Sequence, residues 1–411
     1  MKILVINTGS SSIKYQLFDM EKQKAVVNGL AEKIGEKTSI LTHKLIDNQG
    51  NGKKKIEEGR LANHAEGLER IVELLVDPEF GAIRDKSEIS AVGHRVVHGG
   101  EAFQESIIIN EKVLAAVKKN IPLAPLHNPP NLTGIEVAQN IFPDVPHVGV
   151  FDTSFHQTIP RRAYLYAVPY SLYEKQRVRR YGFHGTSHAY VAEEAAAYLK
   201  RPIEELKLIT IHLGNGASMA AVKNGRCIDT SMGLTPLEGL VMGTRCGDVD
   251  PALPYFMARN LNMTIDEIDK TLNKQSGLKG LCGDNDMRNV EEKAVSGDEL
   301  SALALEIYSY RIKKYIGAYY ASLGHLDAII FTAGIGENSP LIRGMCCEGL
   351  DSLGISVDAC KNKEPRKDIR EISPPNSQIK VLVIPTNEEK KIAMETERIV
   401  KRNGCGQTGR K

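Results

Sequence analysis

The chain has 411 residues, which is enough for two packed domains rather than one simple core. Hydrophobic residues make up 42% of it and charged residues 25%, as is ordinary for a soluble globular protein. Its 53 basic and 51 acidic residues leave a formal net charge of only +2, so neither nucleic acid nor an anionic membrane is expected as a partner.

The composition also favours a cytoplasmic protein. The apolar run at residues 3–6 is too short for a signal peptide, and Gly9 and three serines follow it. No apolar stretch approaches the roughly 20 residues that a membrane-spanning helix needs. The seven cysteines are odd in number and lack CxxC spacing, which is typical of reduced thiols rather than of a disulfide framework.

The first predicted element is a strand, a loop and a second strand. Apolar residues 3–6 precede a small polar loop from Asn7 to Ser12, and residues 13–18 again favour a strand. A loop rich in glycine and serine exposes backbone N–H groups that can hold an anion. Taken alone, such a loop is usually an ordinary hairpin.

Two further strands are predicted over residues 91–97 and 147–151. Arg95 lies among glycines and apolar residues, so it needs an anion to offset its desolvation. Structural salt bridges nevertheless explain most arginines. His127 lies between these strands in a proline-rich turn, and Asp152 directly follows the second strand.

The segment 181–188 places His184 and His188 at helical i, i+4 spacing. Such a pair can hold zinc, but neither an HExxH motif nor a neighbouring cysteine accompanies it, so zinc is not favoured. Donation from a histidine to a phosphoryl oxygen is the better functional interpretation. A structural role remains the alternative for His188, His94 and His98.

The strand–loop–strand pattern recurs at residues 208–222, with a loop from His212 to Ser218. Two copies predict a duplicated α/β domain with a phosphate bound between the copies. Arg245 follows Gly243 and precedes Gly247, which repeats the setting of Arg95 in the second half of the chain.

The last third of the chain predicts a helix over residues 299–323 and strands over 328–332 and 380–384. A glycine-rich loop from Thr332 to Asn338 fits neither a Walker A nor a GxGxxG motif, and a helix is predicted to begin near Ser339. Asn387 is a good cap for the final helix, whose first turn contains Glu388. An acid there compensates the helix dipole or, beside a triphosphate, helps to hold Mg²⁺.

Alternating strands and helices predict an α/β architecture with ligands at the carboxyl ends of the strands. The predicted domains are residues 1–151 with 386–411, and residues 152–385. The tail from Asn403 has little to bury and is expected to be mobile.

Together these segments resemble the acetate kinase family, within the acetate and sugar kinase, heat-shock 70 and actin superfamily. The resemblance runs from residue 1 to Lys401 and rests on segments 5–14, 181–188, 235–239, 243–245 and 332–338. It implies duplicated ribonuclease H-like, actin-like ATPase domains with a central cleft. It also implies a homodimer that reversibly transfers the γ-phosphoryl group of ATP to acetate, giving acetyl phosphate and ADP.

The resemblance assigns roles at the matching positions. The implied catalytic residues are Arg95, Asp152, His184 and Arg245. The implied acetate-binding residues are Arg95, Val97, Leu126, His127, Phe183 and Pro236. The implied metal-binding residues, for Mg²⁺ or Mn²⁺, are Asn7 and Glu388. The implied ATP-binding residues are Ser10, Ser12, Lys14, His212, Leu213, Gly214, Asn215, Gly216, Asp286, Met287, Arg288, Gly334, Ile335, Gly336, Glu337 and Asn338.

Several alternatives remain open at this point. The residues beside Asp286 differ from those usual in the family, so the nucleobase preference is open. A propionate or butyrate kinase needs the same reaction with a wider pocket. A sugar kinase must deprotonate a hydroxyl group, for which Asp152 is a candidate base. A nucleotide switch without catalysis is disfavoured by the number of arginines and histidines in the motifs.

Overall fold

The computed structural model describes residues 1–47, 52–125 and 127–405. The predicted pocket residue Leu126 and the predicted tail beyond residue 405 lie outside the described residues. The described chain forms two compact units. The first comprises Met1–Phe155 and the final helix from Asn387, and the second comprises His156–Thr386.

The described residues of the first unit form eight strands in one sheet. Its elements are β1 (Lys2–Thr8), β2 (Ser12–Asp19), β3 (Lys24–Glu32), β4 (Ser39–Leu45), β5 (Lys54–Gly59), α1 (His64–Leu75), β6 (Ile89–Val96), β7 (Ile107–Ile108), α2 (Glu111–Lys119), α3 (Asn128–Ile141) and β8 (His147–Phe151). The sheet order is β5-β4-β3-β2-β1-β6-β8-β7, in which β1, β6 and β8 are parallel.

The second unit contains a six-stranded sheet and most of the helices. Its elements are α4 (Arg161–Tyr164), α5 (Tyr170–Gln176), α6 (Gly185–Leu199), β9 (Lys207–Leu213), β10 (Ala217–Lys223), β11 (Arg226–Thr230), α7 (Leu253–Asn260), α8 (Ile265–Lys274), α9 (Gly277–Cys282), α10 (Met287–Val295), α11 (Glu299–Leu323), β12 (Ala328–Thr332), α12 (Ala333–Asn338), α13 (Pro340–Cys347), α14 (Ala359–Lys363), β13 (Arg370–Glu371) and β14 (Lys380–Val383). The final helix, α15 (Glu388–Cys405), belongs to the first unit.

The second sheet repeats the strand order of part of the first. In the first unit, β3, β2 and β1 are antiparallel neighbours, and β6 and β8 continue the sheet parallel to β1. In the second unit, β11, β10 and β9 are antiparallel neighbours, and β12 and β14 continue parallel to β9. The duplicated α/β architecture expected from the two hairpins is therefore present in the strand order.

The strand β1 shows how the sequence directs packing in the first unit. Successive side chains of a strand point to opposite faces of the sheet. Leu4 and Ile6 pack in one core cluster with residues of α1 and α3, whereas Ile3 and Val5 pack in another with residues of α15. The near-continuous apolar run is therefore explained by burial on both faces, as in parallel sheets covered by helices.

Local signals set the element ends. Asn387 caps α15, since its Oδ1 accepts the N–H of Lys390 at 2.9 Å. Ser339 caps α13 in the same way through the N–H of Ile342. The predicted helix 299–323 and the strands 147–151 and 328–332 are confirmed in full.

The structure corrects three details of the predicted elements. The strand predicted over 91–97 begins earlier, at Ile89, and ends at Val96. The segment from Ala333 to Asn338, expected as a loop, is the short helix α12. Residues 403–405, expected in the tail, are the last turn of α15, because the helix continues past the predicted end at Lys401. Within the described residues, no helix combines the length and apolar character needed to cross a membrane.

Candidate active site

In the first unit, candidate residues gather at one edge of the sheet. Because β1, β6 and β8 are parallel, their carboxyl ends meet at that edge. Asn7 and Arg95 lie near the ends of β1 and β6, and Asp152 immediately follows β8. Helix α15 packs on the same three strands and begins at Glu388.

The centre of this edge is an ion pair between Arg95 and Asp152. Arg95 Nε donates to Asp152 Oδ1 at 3.1 Å, and Nη2 donates to Oδ2 at 2.7 Å. The Asp152 side chain is only 2% exposed. A carboxylate oxygen of Glu388 lies 3.8 Å from Arg95 Nε, so one guanidinium faces two carboxylates.

Charge in this cluster is unevenly balanced. Burial raises the pKa of Asp152, while the charge and hydrogen bonds of Arg95 act in the opposite direction. Burial disfavours the Arg95 cation, yet the carboxylates of Asp152 and Glu388 outweigh burial and raise the pKa of Arg95. Two carboxylates against one guanidinium leave a net negative charge when all three are ionised.

That net charge and donor set fit a divalent cation. Mg²⁺ prefers oxygen ligands and is commonly bound through one or two carboxylates together with substrate phosphates. Glu388 offers carboxylate oxygens and Asn7 an amide oxygen, so both suit this ion. The described residues contain no cluster of three or more His, Cys, Asp or Glu side chains that could form an all-protein metal site.

A backbone hydrogen bond closes the first hairpin loop. Gly9 donates its N–H to the carbonyl of Ser12 at 2.8 Å. A Cβ on Gly9 would lie 2.8 Å from Ser12 Oγ, so glycine is required there if Ser12 keeps its position. Lys14 Nζ forms an ion pair with Glu389 Oε1 at 2.5 Å. Glu389 was not singled out from the sequence. Ser10 is exposed.

Two asparagines of α3 tie the strand ends together, and sequence reasoning missed both. Asn131 accepts the N–H of Val97 at 3.0 Å and donates to the carbonyl of Thr8 at 2.8 Å, which links β6 to β1. Asn128 accepts the N–H of His98 and donates back to its carbonyl. The sequence signal was the pair of asparagines around two prolines after His127, the residue that precedes α3.

In the second unit, His184 occupies an unusual backbone position. Its φ of 56° lies in the left-handed region, directly before α6. Strain of this kind is often kept at functional sites. His184 Nδ1 lies 2.9 Å from Ser218 Oγ, and its ring stacks on His212 with centroids 4.2 Å apart.

Arg245 approaches His184 around Gly216. A Cβ on Gly216 would lie 3.4 Å from Arg245 Nη1 and 3.5 Å from His184 Nε2, so the absent side chain keeps this space open between them. Arg245 Nη1 donates to the carbonyl of Pro236 at 3.1 Å. Burial lowers the pKa of Arg245.

The charge of Arg245 has no acidic partner among the residues that the structure describes. A partly buried guanidinium that contacts only neutral atoms favours an anion as its missing partner. Asn215 lies beside the same loop, because a Cβ on Gly243 would come within 2.2 Å of Asn215 Oδ1. Together these residues form an anion-binding candidate site within the second unit.

A cavity of about 640 Å³ continues from this loop. Eight of the predicted ATP-binding residues line it: Gly214, Asn215, Asp286, Met287, Arg288, Gly334, Ile335 and Asn338. Its size and mixed polar and apolar lining suit a nucleoside. Asn285, Glu291 and Ser339 also line it, and sequence reasoning did not assign them to the site.

Asp286 and Arg288 have local structural roles as well. Asp286 caps α10 by accepting the N–H of Arg288 at 3.0 Å. The Arg288 side chain is 89% exposed and pairs with Asp286 at 2.5 Å. Met287 is buried between them. The predicted Asp-Met-Arg segment therefore presents one apolar and two charged side chains at the wall of the cavity.

Five other predicted ATP-binding residues of the second unit do not line this cavity: His212, Leu213, Gly216, Gly336 and Glu337. Leu213 is fully buried, and Gly336 packs against Phe331. Glu337 accepts the N–H of Thr386 at 3.1 Å, and burial raises its pKa. These residues support the loop and α12 rather than the cavity wall.

The predicted acetate-binding residues are divided between the units. Val97 and His127 belong to the first unit, and Phe183 and Pro236 belong to the second. Phe183 is 2% exposed and directly precedes His184, and Pro236 accepts a hydrogen bond from Arg245. Each of these two apolar residues therefore adjoins a predicted catalytic side chain.

Comparison with known proteins gives one consistent result. The acetokinase family profile matches residues 2–394. An acetate kinase of Nitratidesulfovibrio vulgaris (strain Hildenborough) is 55% identical over 401 residues, which cover 98% of this chain and 100% of that protein.

Solved structures agree with that match. The crystal structure of Porphyromonas gingivalis acetate kinase is 44% identical, with a TM-score of 0.92 over 97% of this chain and 99% of that one. A propionate kinase from Francisella tularensis is also 44% identical, with a TM-score of 0.89 and the same coverage. The predicted fold class, with duplicated ribonuclease H-like, actin-like domains, is confirmed.

Proposed function

We propose that this chain, which belongs to the acetokinase family, is an ATP-dependent acetate kinase. It reversibly transfers the γ-phosphoryl group of ATP to acetate, giving acetyl phosphate and ADP. An acetate oxygen forms a bond to the γ-phosphorus while the bond from that phosphorus to the leaving oxygen of ADP breaks. Acetate enters as an anion at neutral pH, so the step needs no general base.

The difficulty of this reaction is electrostatic, because an anion must approach an anionic phosphate. Positioned positive groups and hydrogen-bond donors relieve that repulsion and stabilise the charge of the transition state. Arg245 and His184 are the proposed donors from the second unit. Arg95 is the proposed donor from the first, and His127 supports the same transfer. The observation that carries the proposal is Arg245, a partly buried cation without an acidic partner among the described residues, beside His184.

The remaining groups serve the nucleotide and the metal ion. Ser10, Ser12 and Lys14 act on the phosphates with the loop at Asn215, and the cavity beside α10 takes the adenosine. Asn7 and Glu388 would hold Mg²⁺, or Mn²⁺ in its place, and Asp152 organises the cluster through Arg95. When bound, the ion neutralises charge on the phosphate oxygens.

Trapping the product tests the proposed function directly. With acetate, ATP, Mg²⁺ and hydroxylamine, acetyl phosphate is converted to acetohydroxamate, which is measured by its iron complex. We expect rapid hydroxamate formation that depends on acetate, on ATP and on Mg²⁺. Phosphorylation of glycerol or a hexose without that of acetate would instead indicate a sugar kinase, and nucleotide binding without any transfer would indicate a switch.

Propionate kinase is the second candidate, because the propionate kinase from Francisella tularensis is as similar in sequence as the acetate kinase from Porphyromonas gingivalis. One methylene changes transition-state binding by about 1–3 kcal/mol, or about 10- to 200-fold. We expect kcat/KM for acetate to exceed that for propionate by a factor in this range and that for butyrate by more. A preference for propionate would reverse the assignment.

Val97 is expected to set part of this preference. Replacing Val97 with alanine removes two methyl groups, so the ratio of kcat/KM for propionate to that for acetate should rise about 10-fold. Val96→Ala is the matched control, since the adjacent side chain packs in the core cluster with Phe151. An unchanged ratio in Val97→Ala would remove this residue from the acetate pocket.

Glu388 is expected to control the dependence on Mg²⁺. Chelation of divalent ions should abolish activity, and Mg²⁺ should restore it. Glu388→Ala should raise the Mg²⁺ concentration for half-maximal rate about 10-fold or more, because a metal carboxylate is lost. Glu397→Ala, on the same helix but paired with Lys401, should keep the wild-type Mg²⁺ dependence. Equal behaviour of the two variants would contradict the assignment of Glu388.

The proposed function includes the assembly and the location that are expected for the family. The protein is a cytoplasmic homodimer, in line with the reduced thiols expected from its cysteines. Light scattering of the purified protein measures the mass, for which twice the chain mass of 45.2 kDa is expected.

A further inference from the structure

Behind His184, three buried side chains form a continuous chain of hydrogen bonds. His184 Nδ1 lies 2.9 Å from Ser218 Oγ, and His188 Nε2 lies 2.8 Å from the same oxygen. On its other side, His188 Nδ1 lies 2.7 Å from Thr210 Oγ1. Ser218, His188 and Thr210 are all 0% exposed. This series of hydrogen bonds therefore runs from Thr210, inside β9, to His184, the side chain that is proposed to contact the phosphoryl group.

Counting protons restricts how this chain can be arranged. Burial lowers the pKa of His188 well below its usual value, so the ring is neutral and carries one N–H. Within the described part of the chain, Ser218 Oγ contacts only the two ring nitrogens, and a hydroxyl has one proton to donate. Because each contact needs one donor and one acceptor, the three hydrogen bonds must all donate in the same direction, either from Thr210 toward His184 or from His184 toward Thr210.

Two observations choose the direction. Thr210 Oγ1 is 2.7 Å from His188 Nδ1 but 3.4 Å from the carbonyl of Ala220, so the ring is its better acceptor. The reverse direction would place the proton of neutral His184 on Nδ1, and Nε2 could then donate only from a charged ring. The guanidinium of Arg245, across Gly216, disfavours a second positive charge there.

We propose that Thr210, His188 and Ser218 are positioning residues that fix the ring proton of His184 on Nε2. Thr210 donates to His188 Nδ1, His188 Nε2 donates to Ser218, and Ser218 donates to His184 Nδ1. His184 then presents an N–H on its Nε2 side without needing to become charged. The inference rests on the proposed function only in taking a phosphoryl oxygen as the acceptor of that N–H.

The ring plane of His184 is held independently. His212 stacks on it at an interplanar angle of 15°, and His212 Nδ1 lies 2.8 Å from Ser187 Oγ. Ser187 in turn contacts Thr386 Oγ1 at 2.8 Å. A hydroxyl at each Nδ1 therefore anchors both rings. Both Nε2 atoms face the glycine loop. A Cβ placed on Gly216 would lie 3.5 Å from His184 Nε2, and one placed on Gly214 would lie 3.9 Å from His212 Nε2.

A double-mutant cycle tests whether Ser218 acts through His184. Ser218→Ala should lower kcat about 10- to 100-fold with little change in KM, as expected when a hydrogen-bonded support is lost. In a His184→Ala background, the same Ser218 substitution should have almost no further effect. Ser231→Ala is the matched control, because it also removes a fully buried hydroxyl, one that accepts the N–H of Met219, and it should keep kcat near the wild type.

A measurement on the unmodified protein keeps the inference separate from the proposed function. Nitrogen-15 NMR of histidine-labelled protein should show His188 protonated on Nε2 and unprotonated on Nδ1 at neutral pH. This result is expected whether or not acetohydroxamate forms in the activity assay. A proton on His188 Nδ1 would overturn the proposed direction of the hydrogen bonds. An equal loss of kcat from Ser218→Ala with and without His184 would overturn the proposal that Ser218 acts through His184.

Discussion

Replacing Arg245 with alanine is expected to lower kcat/KM for acetate by about 10²- to 10³-fold, the usual cost of losing a preorganised donor to a transition state. The guanidinium contacts the carbonyl of Pro236 and the sulfur of Met242, and neither neutralises its charge. Its binding energy is therefore available to the charge of the transferring phosphoryl group. Arg245→Lys should recover only part of the rate, because lysine lacks the planar fork of donors.

The matched control for this prediction is Arg201→Ala. Arg201 pairs with Asp327 at 2.7 Å, at the opposite end of β9 and β12 from the glycine loop. The Arg201→Ala substitution removes the same charge from the same unit, but far from the glycine loop. The rate of this variant should therefore stay near that of the wild type. If Arg245→Ala and Arg201→Ala were equally active, the role of Arg245 would be refuted.

Replacing Arg95 with alanine, which breaks its ion pair with Asp152, is the second change with a large expected effect. Arg95→Ala should destabilise the protein by about 3–5 kcal/mol, the cost of leaving one member of a buried ion pair alone. It should also lower the rate by about 10² or more, since Arg95 is a proposed donor to the transition state. Urea unfolding and steady-state rates measure the two effects separately.

The double variant Arg95→Ala/Asp152→Ala distinguishes pairing from catalysis. Because it removes both charges, it should recover part of the free energy of unfolding lost in Arg95→Ala. It should not recover the rate. Lys2→Ala is the matched control, since it breaks an ion pair of 2.6 Å with Glu88 near the surface of the same unit and should unfold close to the wild type. Recovery of activity in the double variant would contradict a catalytic role for Arg95.

The loss of stability in Arg95→Ala is also expected to depend on pH. Burial raises the pKa of Asp152 in the folded protein, and removing Arg95 removes the interactions that oppose this rise. The folded state then holds the Asp152 proton more tightly than the unfolded state. The variant should therefore lose stability as pH rises from about 3.9, the usual value for Asp, up to the raised pKa of the folded protein. Below that window the wild type and variant should differ least.

Much of the fold was predictable because its signals are local. The two hairpins, with glycine and small polar residues between apolar runs, predicted the duplicated topology. Asn387 predicted the start of α15 and so placed Glu388 in the first turn. Parallel strands then brought Asn7, Arg95 and Asp152 to one edge, since their positions near strand ends can be read from the sequence.

The parts that were missed depend on contacts between distant residues. Asn131 joins Val97 to Thr8, which is 123 positions away from it. Ser218 and Thr210 lie in β-strand sequences where a buried hydroxyl looks like any other small residue, and only strand pairing brings them to His188. Glu291 lines the cavity from α10 and Ser339 from the junction between α12 and α13, so no single segment of the sequence marks them.

The prediction of a loop for the glycine-rich segment at residues 332–338 was wrong for a physical reason. Its glycines permit a tight turn, but they do not prevent a short helix when the chain must reverse directly after β12. Ala333 begins α12 with a φ of 63°, a backbone position that the sequence pattern does not reveal for alanine.

The stereochemical course at phosphorus tests the central claim most directly. A γ-phosphoryl group made chiral with oxygen isotopes is transferred from ATP to acetate, and the configuration of the acetyl phosphate is determined. One in-line displacement inverts the configuration at phosphorus. Inversion is therefore predicted, and retention would contradict direct attack by acetate, because it requires an even number of displacements through a phosphorylated enzyme.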